Sequence, residues 1–156
     1  LRRARLAAQW HDGRMSANDP HRSVSISRTS AGRFVATNAR GGTLEFGSGD
    51  DTDFTPVELL LTAIAGCSAI DVDIFTSRRS EPEQFDVVAE GDKLRDEQGN
   101  HMGPIDVTFT VRFPEGEAGD AARKVYPETV ELSHERLCTV SRTVLLPTDV
   151  RMHVEP

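Results

Sequence analysis

Only two cysteines occur in the 156 residues, at positions 67 and 138. So few cannot staple a disulfide scaffold, and a reducing cytoplasm is the expected setting. CxxC and HxxxH are missing, and the five histidines at 11, 21, 101, 134 and 153 are scattered, so no metal or other cofactor is expected. The GxSxG, GxGxxG and Walker A signatures are absent too, which removes the nucleophile-elbow and phosphate-cradle readings. Positive charge is in deficit: a net charge of −7 argues against nucleic acid or an anionic membrane as the main partner. No unbroken apolar run approaches the ~18 residues of a membrane span. Repeats and low-complexity tracts are likewise lacking.

What the chain does have is one long helical stretch, TPVELLLTAIAGCSAIDVDIFTSRR, residues 55–79. Thr55 is suited to cap it, Pro56 fits the first helical position, and Glu58 stands three residues after the cap. Arg78 and Arg79 fall in its last turn, where the dipole favours cations, and Pro82 follows. Such a helix spans roughly 36 Å and crosses most of a domain whose radius of gyration is about 15 Å. Its first half is apolar almost all round, the pattern of a buried helix. Leu59, Ala63, Cys67, Ile70 and Ile74 form one stripe at spacings of three and four. Gly66 costs ~1 kcal/mol in a helix interior, which suggests that something approaches Cys67 closely, with Cys138 the candidate.

Around this helix the chain reads as a single α+β domain over 23–156, preceded by an arm over 1–22. The arm's basic start has too short an apolar run for a secretory signal; a transit peptide is the lesser alternative. Three strands, Ser23–Arg28, Arg33–Thr37 and Thr43–Phe46, form an antiparallel meander, and an acidic loop, 47–53, leads to the helix. Strands Gln84–Leu94 and Ile105–Phe113 pair across a turn of Gly, Asn and Pro. A short helix covers Ala118–Tyr126. Pro127 restarts a second, with Val130, His134, Leu137, Ser141 and Val144 on one face, and Pro147 ends it. Val150–Val154 reads as a last strand.

Cys67 and Cys138 are either two unrelated core thiols or a reactive pair. Arg142, one turn after Cys138, and His134, one turn before it, would favour a thiolate. Asp71 and Asp73 lie two apart on a helix and face different ways, a poor acid/base pair. The combination of TPVELLLTAIAGCSAID with LCTVSRT about seventy residues later resembles the OsmC/Ohr family of organic hydroperoxide reductases. Those proteins carry P-x-E-L-L…A-x-x-x-C on a helix and a second cysteine in a C-[PT]-V-[SG] context. The resemblance extends over residues 23–155.

It implies an intertwined homodimer, with antiparallel sheets wrapped around a long buried central helix from each chain. It further implies a peroxidase in which Cys67 attacks an organic hydroperoxide and becomes a sulfenic acid. Cys138 then closes a disulfide that an external dithiol, of lipoyl type, reduces. Since burial alone raises a thiol pKa, a cation is needed; the family draws an arginine from the N-terminal strands, held by a glutamate. Arg28 is the first candidate, with Arg33, Arg40 and Arg142 as rivals. The peroxidase branch places its glutamate directly after the proline, where this chain has Val57; Glu58 is one position on, rotated by about 100°. It fits that role or the second half of the capping box. The rival function is a non-catalytic dimer of the same fold, binding a small hydrophobic ligand in a cleft lined by the cysteines.

Overall fold

The computed structural model describes residues 20–155, so nearly all of the arm expected over 1–22 lies outside the described residues. The chain divides into two compact units, Leu1–Asp53 and Phe54–Pro156. In the first, β1 (Val24–Ser30), β2 (Arg33–Asn38) and β3 (Thr43–Gly47) form the antiparallel meander foreseen from the alternation. The β1–β2 pairing shifts register between Arg28 and Ser30. Phe34 and Phe46, opposite each other on β2 and β3, stack with ring centres 5.7 Å apart. Gly32 turns the first hairpin at φ +69°, a conformation that side chains with a Cβ rarely adopt. In the acidic loop, Asp51 and Asp53 both bind the Arg33 guanidinium, the latter at 3.1 Å.

The second unit is built on α1 (Pro56–Ser77). Its capping box is complete: Glu58 N–H donates to Thr55 Oγ1 at 3.4 Å, and Glu58 Oε2 accepts from Thr55 N–H at 2.7 Å. The helix stops two residues sooner than the arginines suggested. Arg78 is the C-cap, and Arg79 reaches back to donate to the Phe75 carbonyl at 2.7 Å.

α1 departs from its sequence reading in two ways. By length and composition it could cross a membrane, with mean hydropathy 1.7, although no unbroken apolar run suggested so. Thr62, Gly66 and Ser68 interrupt the run without charge, and Asp71 and Asp73 break it further on. Nor is the expected stripe the buried one: Ile70 and Ile74 are 62% and 45% exposed, and the line facing inward is Ile64, Ser68, Val72 and Thr76. The polar members of that line are accommodated by bonding, as where Thr76 Oγ1 donates to the Val72 carbonyl at 2.9 Å.

β4 (Gln84–Glu90) and β7 (Asp106–Arg112) pair antiparallel in full register, as the alternation of Phe85, Val87 and Ala89 against Val107, Phe109 and Val111 dictates. The link between them is more ordered than expected. The first strand stops at Glu90, and the Gly, Asn and Pro segment folds into its own hairpin of β5 (Lys93–Asp96) and β6 (Gly99–Met102). Asp96 Oδ1 accepts two backbone N–H groups at that turn, which closes it locally.

α2 (Glu117–Leu132) runs straight through Pro127, correcting the expectation of two helices. Its buried positions Gly119, Ala122 and Thr129 continue one face across the proline, so packing against α1 outweighs the lost backbone bond. Gly119 is required there: a Cβ would lie 1.8 Å from the Pro114 carbonyl oxygen. The break comes later, in a π-helical turn, Ser133–Leu137, after which Cys138 leaves the helix and α3 (Thr139–Leu145) begins. The face foreseen for this segment holds at Ser141, which is buried, but not at Leu137 and Val144, which are 39% and 50% exposed; Ser133 and Cys138 are buried in their place. The last strand, Val150–Val154, does not form among the described residues, and its three apolar side chains are exposed. Antiparallel sheets with helices confirm the α+β class.

Candidate active site

Cys67 sits near the middle of α1, part-exposed, and Cys138 is fully buried at the N-cap of α3; both are free thiols. The fold brings them together, since each thiol enters the other's hydrogen-bonding environment. α1 packs against the π-helical turn and α3, which is how residues seventy positions apart meet. The polar surround is a set of short side chains on those elements. Cys138 Sγ accepts from the Ser141 N–H at 3.3 Å, and Ser68, one residue beyond Cys67, also bonds toward it. One helical turn from Cys67, Asp71 Oδ2 accepts from Ser133 Oγ at 2.8 Å.

The two thiols are pushed apart in acidity. Cys67 is raised above the ordinary thiol value, by burial first, then by its hydrogen bond with Cys138 and the charges of Cys138 and Asp71. Burial also works to raise Cys138, but hydrogen bonds from Cys67 and from the Ser141 hydroxyl and N–H outweigh it and bring it below that value. The opposite directions of the two shifts make Cys67 the donor and Cys138 the acceptor between them. Sulfur that accepts an N–H at a helix N-terminus, as Cys138 does from Ser141, is in an environment that favours the thiolate.

Gly66 has a different purpose from the one its position suggested. Among the described residues, a Cβ on it would meet nothing within 4 Å. It instead lines a cleft of about 440 Å³ between α1 and β4, along with Phe54, Glu58, Leu61, Thr62, Ala65, Ala69, Val87 and Ala89. Neither cysteine is among these lining residues, so the cleft and the thiol pair are adjacent but separate features.

The remaining candidates fall as follows. Glu58 is held by the cap, and the Thr55 backbone bond, with that from its side chain, sets its carboxyl below the ordinary range. Arg28 lies exposed on β1, opposite Phe34, and Arg40 in the β2–β3 turn. Arg33 is already paired with Asp51 and Asp53. Arg142 contributes its backbone N–H to the Cys138 carbonyl at 3.0 Å, and its side chain is exposed, as is that of His134. Ser68, Asp71, Ser133 and Ser141 were not foreseen as site residues. Asp71 had been weighed only against Asp73, whose carboxylate instead accepts from Ser77 Oγ at 2.7 Å.

Residues 49–153, which include both cysteines, match the family model described as OsmC-like protein. The chain belongs to the OsmC-like family. Its fold recurs in solved structures of low identity. A hypothetical protein from Aquifex aeolicus VF5 superposes with TM-score 0.64 at 23% identity, over 83% of this chain and 90% of that one. An OsmC-like protein of unknown function from Vibrio cholerae gives 0.63 at 13%, over 79% and 92%. An organic hydroperoxide resistance protein, OsmC, from Legionella pneumophila gives 0.52 at 14%, over 80% and 88%. No curated protein matches the chain in sequence.

Proposed function

We propose that this OsmC-like protein is a thiol peroxidase that reduces organic hydroperoxides to alcohols. The observation that carries the reading is the pairing of a part-exposed Cys67 with a fully buried, hydrogen-bonded Cys138. Peroxide reaches Cys67 but not Cys138. Cys67 sulfur attacks the peroxide oxygen, the O–O bond breaks, and the alkoxide leaves as alcohol after taking a proton. Cys138, as thiolate, is placed to accept the Cys67 proton as that attack proceeds. Cys67 is then a sulfenic acid. Closure to a Cys67–Cys138 disulfide releases water, and an external dithiol, of lipoyl type, restores both thiols.

The active form is assigned as a homodimer, in the cytoplasm. Support for the dimer comes from α1, whose Leu60, Ile70 and Ile74 leave apolar surface exposed on one chain. A second copy that covers them would give the helix the burial its composition calls for. Sedimentation at micromolar concentration tests this, and a folded monomer would refute it.

A second reading has its own observation, the largely apolar cleft floored by Gly66 and edged by the Glu58 carboxylate. A binding module would hold a small hydrophobic ligand there without using the thiols. Consumption of an alkyl hydroperoxide separates the two. Peroxidase activity is lost with Cys67→Ser, and Cys138→Ser gives one turnover ending at the sulfenic or a more oxidised acid. A wild-type protein that leaves hydroperoxide untouched would overturn the enzyme reading.

A further inference from the structure

Ser133 is a hydroxyl residue with no exposed surface, and its hydroxyl and carbonyl are both committed. Its Oγ donates to Asp71 Oδ2 at 2.8 Å, and its carbonyl accepts the Cys138 N–H at 2.9 Å. Asp71 stands four residues after Cys67 on α1, hence on the same helical face. A closed path therefore runs from Cys67 along one turn of α1 to Asp71, across to Ser133, through the π-helical turn to Cys138, and back between the sulfurs. The five-residue reach of the Cys138 N–H is what widens this turn. It ends with Cys138 at φ −68°, ψ 101°, out of the helix and turned to cap the next. π-Helical turns of this kind occur frequently at functional sites.

Disulfide closure is demanding in geometry: the sulfurs must come to about 2.05 Å with a dihedral near 90°. A one-residue slip of α1 against the turn would move its side chains by about 1.5 Å and 100°. We propose that Asp71 and Ser133 are positioning residues for the resolving step, holding the π-helical turn in register with α1 so that Cys138 meets the oxidised Cys67. The inference rests on the peroxidase reading for its biological meaning. In the step itself the Cys138 sulfur forms a bond to the Cys67 sulfur and the S–O bond of the sulfenic acid breaks. The departing hydroxide takes the Cys138 proton and leaves as water; Cys138 is oxidised as the Cys67 sulfur is reduced. Neither Asp71 nor Ser133 is consumed or touches peroxide.

The test separates the two chemical steps in single-turnover reactions with cumene hydroperoxide. In Ser133→Ala, disulfide closure slows by about tenfold or more, well beyond any change in the rate of sulfenic acid formation, and Cys67 sulfinic acid accumulates as peroxide is raised. Asp71→Ala, made from the other side of the same bond, slows closure to the same degree, and the double variant is no slower than either single one. Asp71→Asn, whose amide oxygen still accepts from Ser133, restores closure. Closure at the wild-type rate in both alanine variants overturns the proposal, as does an equal slowing of both steps. Diamide, which drives thiols to a disulfide without peroxide, gives the independent arm. Slow closure with diamide in Ser133→Ala upholds the positioning even if the wild type proves inert to hydroperoxide, a result that would sink only the peroxidase reading.

Discussion

The Cys138 sulfur accepts the Ser141 backbone N–H at 3.3 Å, so the buried thiol caps α3 in the way a serine or aspartate would. That bond survives deprotonation and strengthens with it, because a charged acceptor is the better one. Each cysteine also shifts the acidity of the other, Cys67 upward and Cys138 downward.

The first prediction follows from that coupling. Replacing Cys67 with alanine removes the strongest of the contacts that lower Cys138, so the Cys138 titration moves to higher pH. Replacing Cys138 with alanine removes two causes that raise Cys67 and leaves burial, so Cys67 moves down but stays above the ordinary thiol value. Ultraviolet absorbance of the thiolate reads both. The signs for stability are opposite. Cys138, depressed, contributes stability above its unfolded pKa that is lost as pH falls through the folded value. Cys67, raised, contributes below its unfolded pKa and loses it as pH rises through the folded value. Titrations of the two variants that match their counterparts in the wild type would refute the coupling.

Much of this arrangement was open to a reader of the sequence, and the reasons for the rest are physical. Thr55, Pro56 and Glu58 announce the start of α1 because caps act through neighbours within one turn. The alternation in 84–89 and 106–112 fixes β4 against β7, since period two permits one register with the apolar side chains on the core face. Three features escaped. Pro127 looks like a helix start, yet the packing of Ala122 and Thr129 carries α2 past it. The buried line of α1 is half hydroxyl residues, which apolar periodicity cannot detect. And the π-helical turn, which ends at Cys138, begins at Ser133, whose side chain bonds Asp71, 62 positions away.

The cap of α1 gives a second prediction. Thr55→Ala deletes the hydroxyl that accepts the Glu58 N–H and costs about 1 kcal/mol, a fall of roughly 2–4 °C in melting temperature for a chain of this length. Glu58→Gln tests the charge. The Glu58 carboxyl is lowered from 4.5 by Thr55, so its contribution is present above that value and is lost as pH falls through the folded pKa. The difference in melting temperature between wild type and Glu58→Gln should thus be seen near neutral pH and close in acid. A difference independent of pH would mean that the carboxylate charge is not what the cap uses.

A third prediction concerns the oxidised state. A disulfide between Cys67 and Cys138 closes a loop of about 70 residues, which in the chain-entropy model stabilises the folded form by roughly 4 kcal/mol before strain is subtracted. The hydrogen bond of Cys138 to Ser141 does not have to break for closure, so little strain is expected on that side. Melting of reduced and peroxide-treated protein, with the disulfide confirmed by mass, measures the gain. Equal midpoints would show that native distortion cancels it.

The last prediction addresses the cation. Burial, Cys138 and Asp71 all hold Cys67 as the neutral thiol, so fast attack on peroxide needs a compensating positive charge. We propose Arg28 for that charge, as the family resemblance implies. Arg33 is the weaker rival because Asp51 and Asp53 already engage it, and the exposed Arg142 meets Cys138 through its backbone. Arg28→Ala should therefore slow sulfenic acid formation at neutral pH and shift the pH profile of that step upward, with the loss recovered in alkaline buffer. Arg28→Lys, which keeps the charge but loses the guanidinium fork, should recover part of the rate. The readout is the single-turnover rate of the first step, so it is independent of how fast Cys138 resolves the product. An unchanged profile in Arg28→Ala would remove Arg28 from the site and pass the assignment to Arg40 or Arg142. Unchanged ligand binding with no peroxide consumption in any variant, wild type included, would instead favour the cleft beside Gly66 as the functional surface.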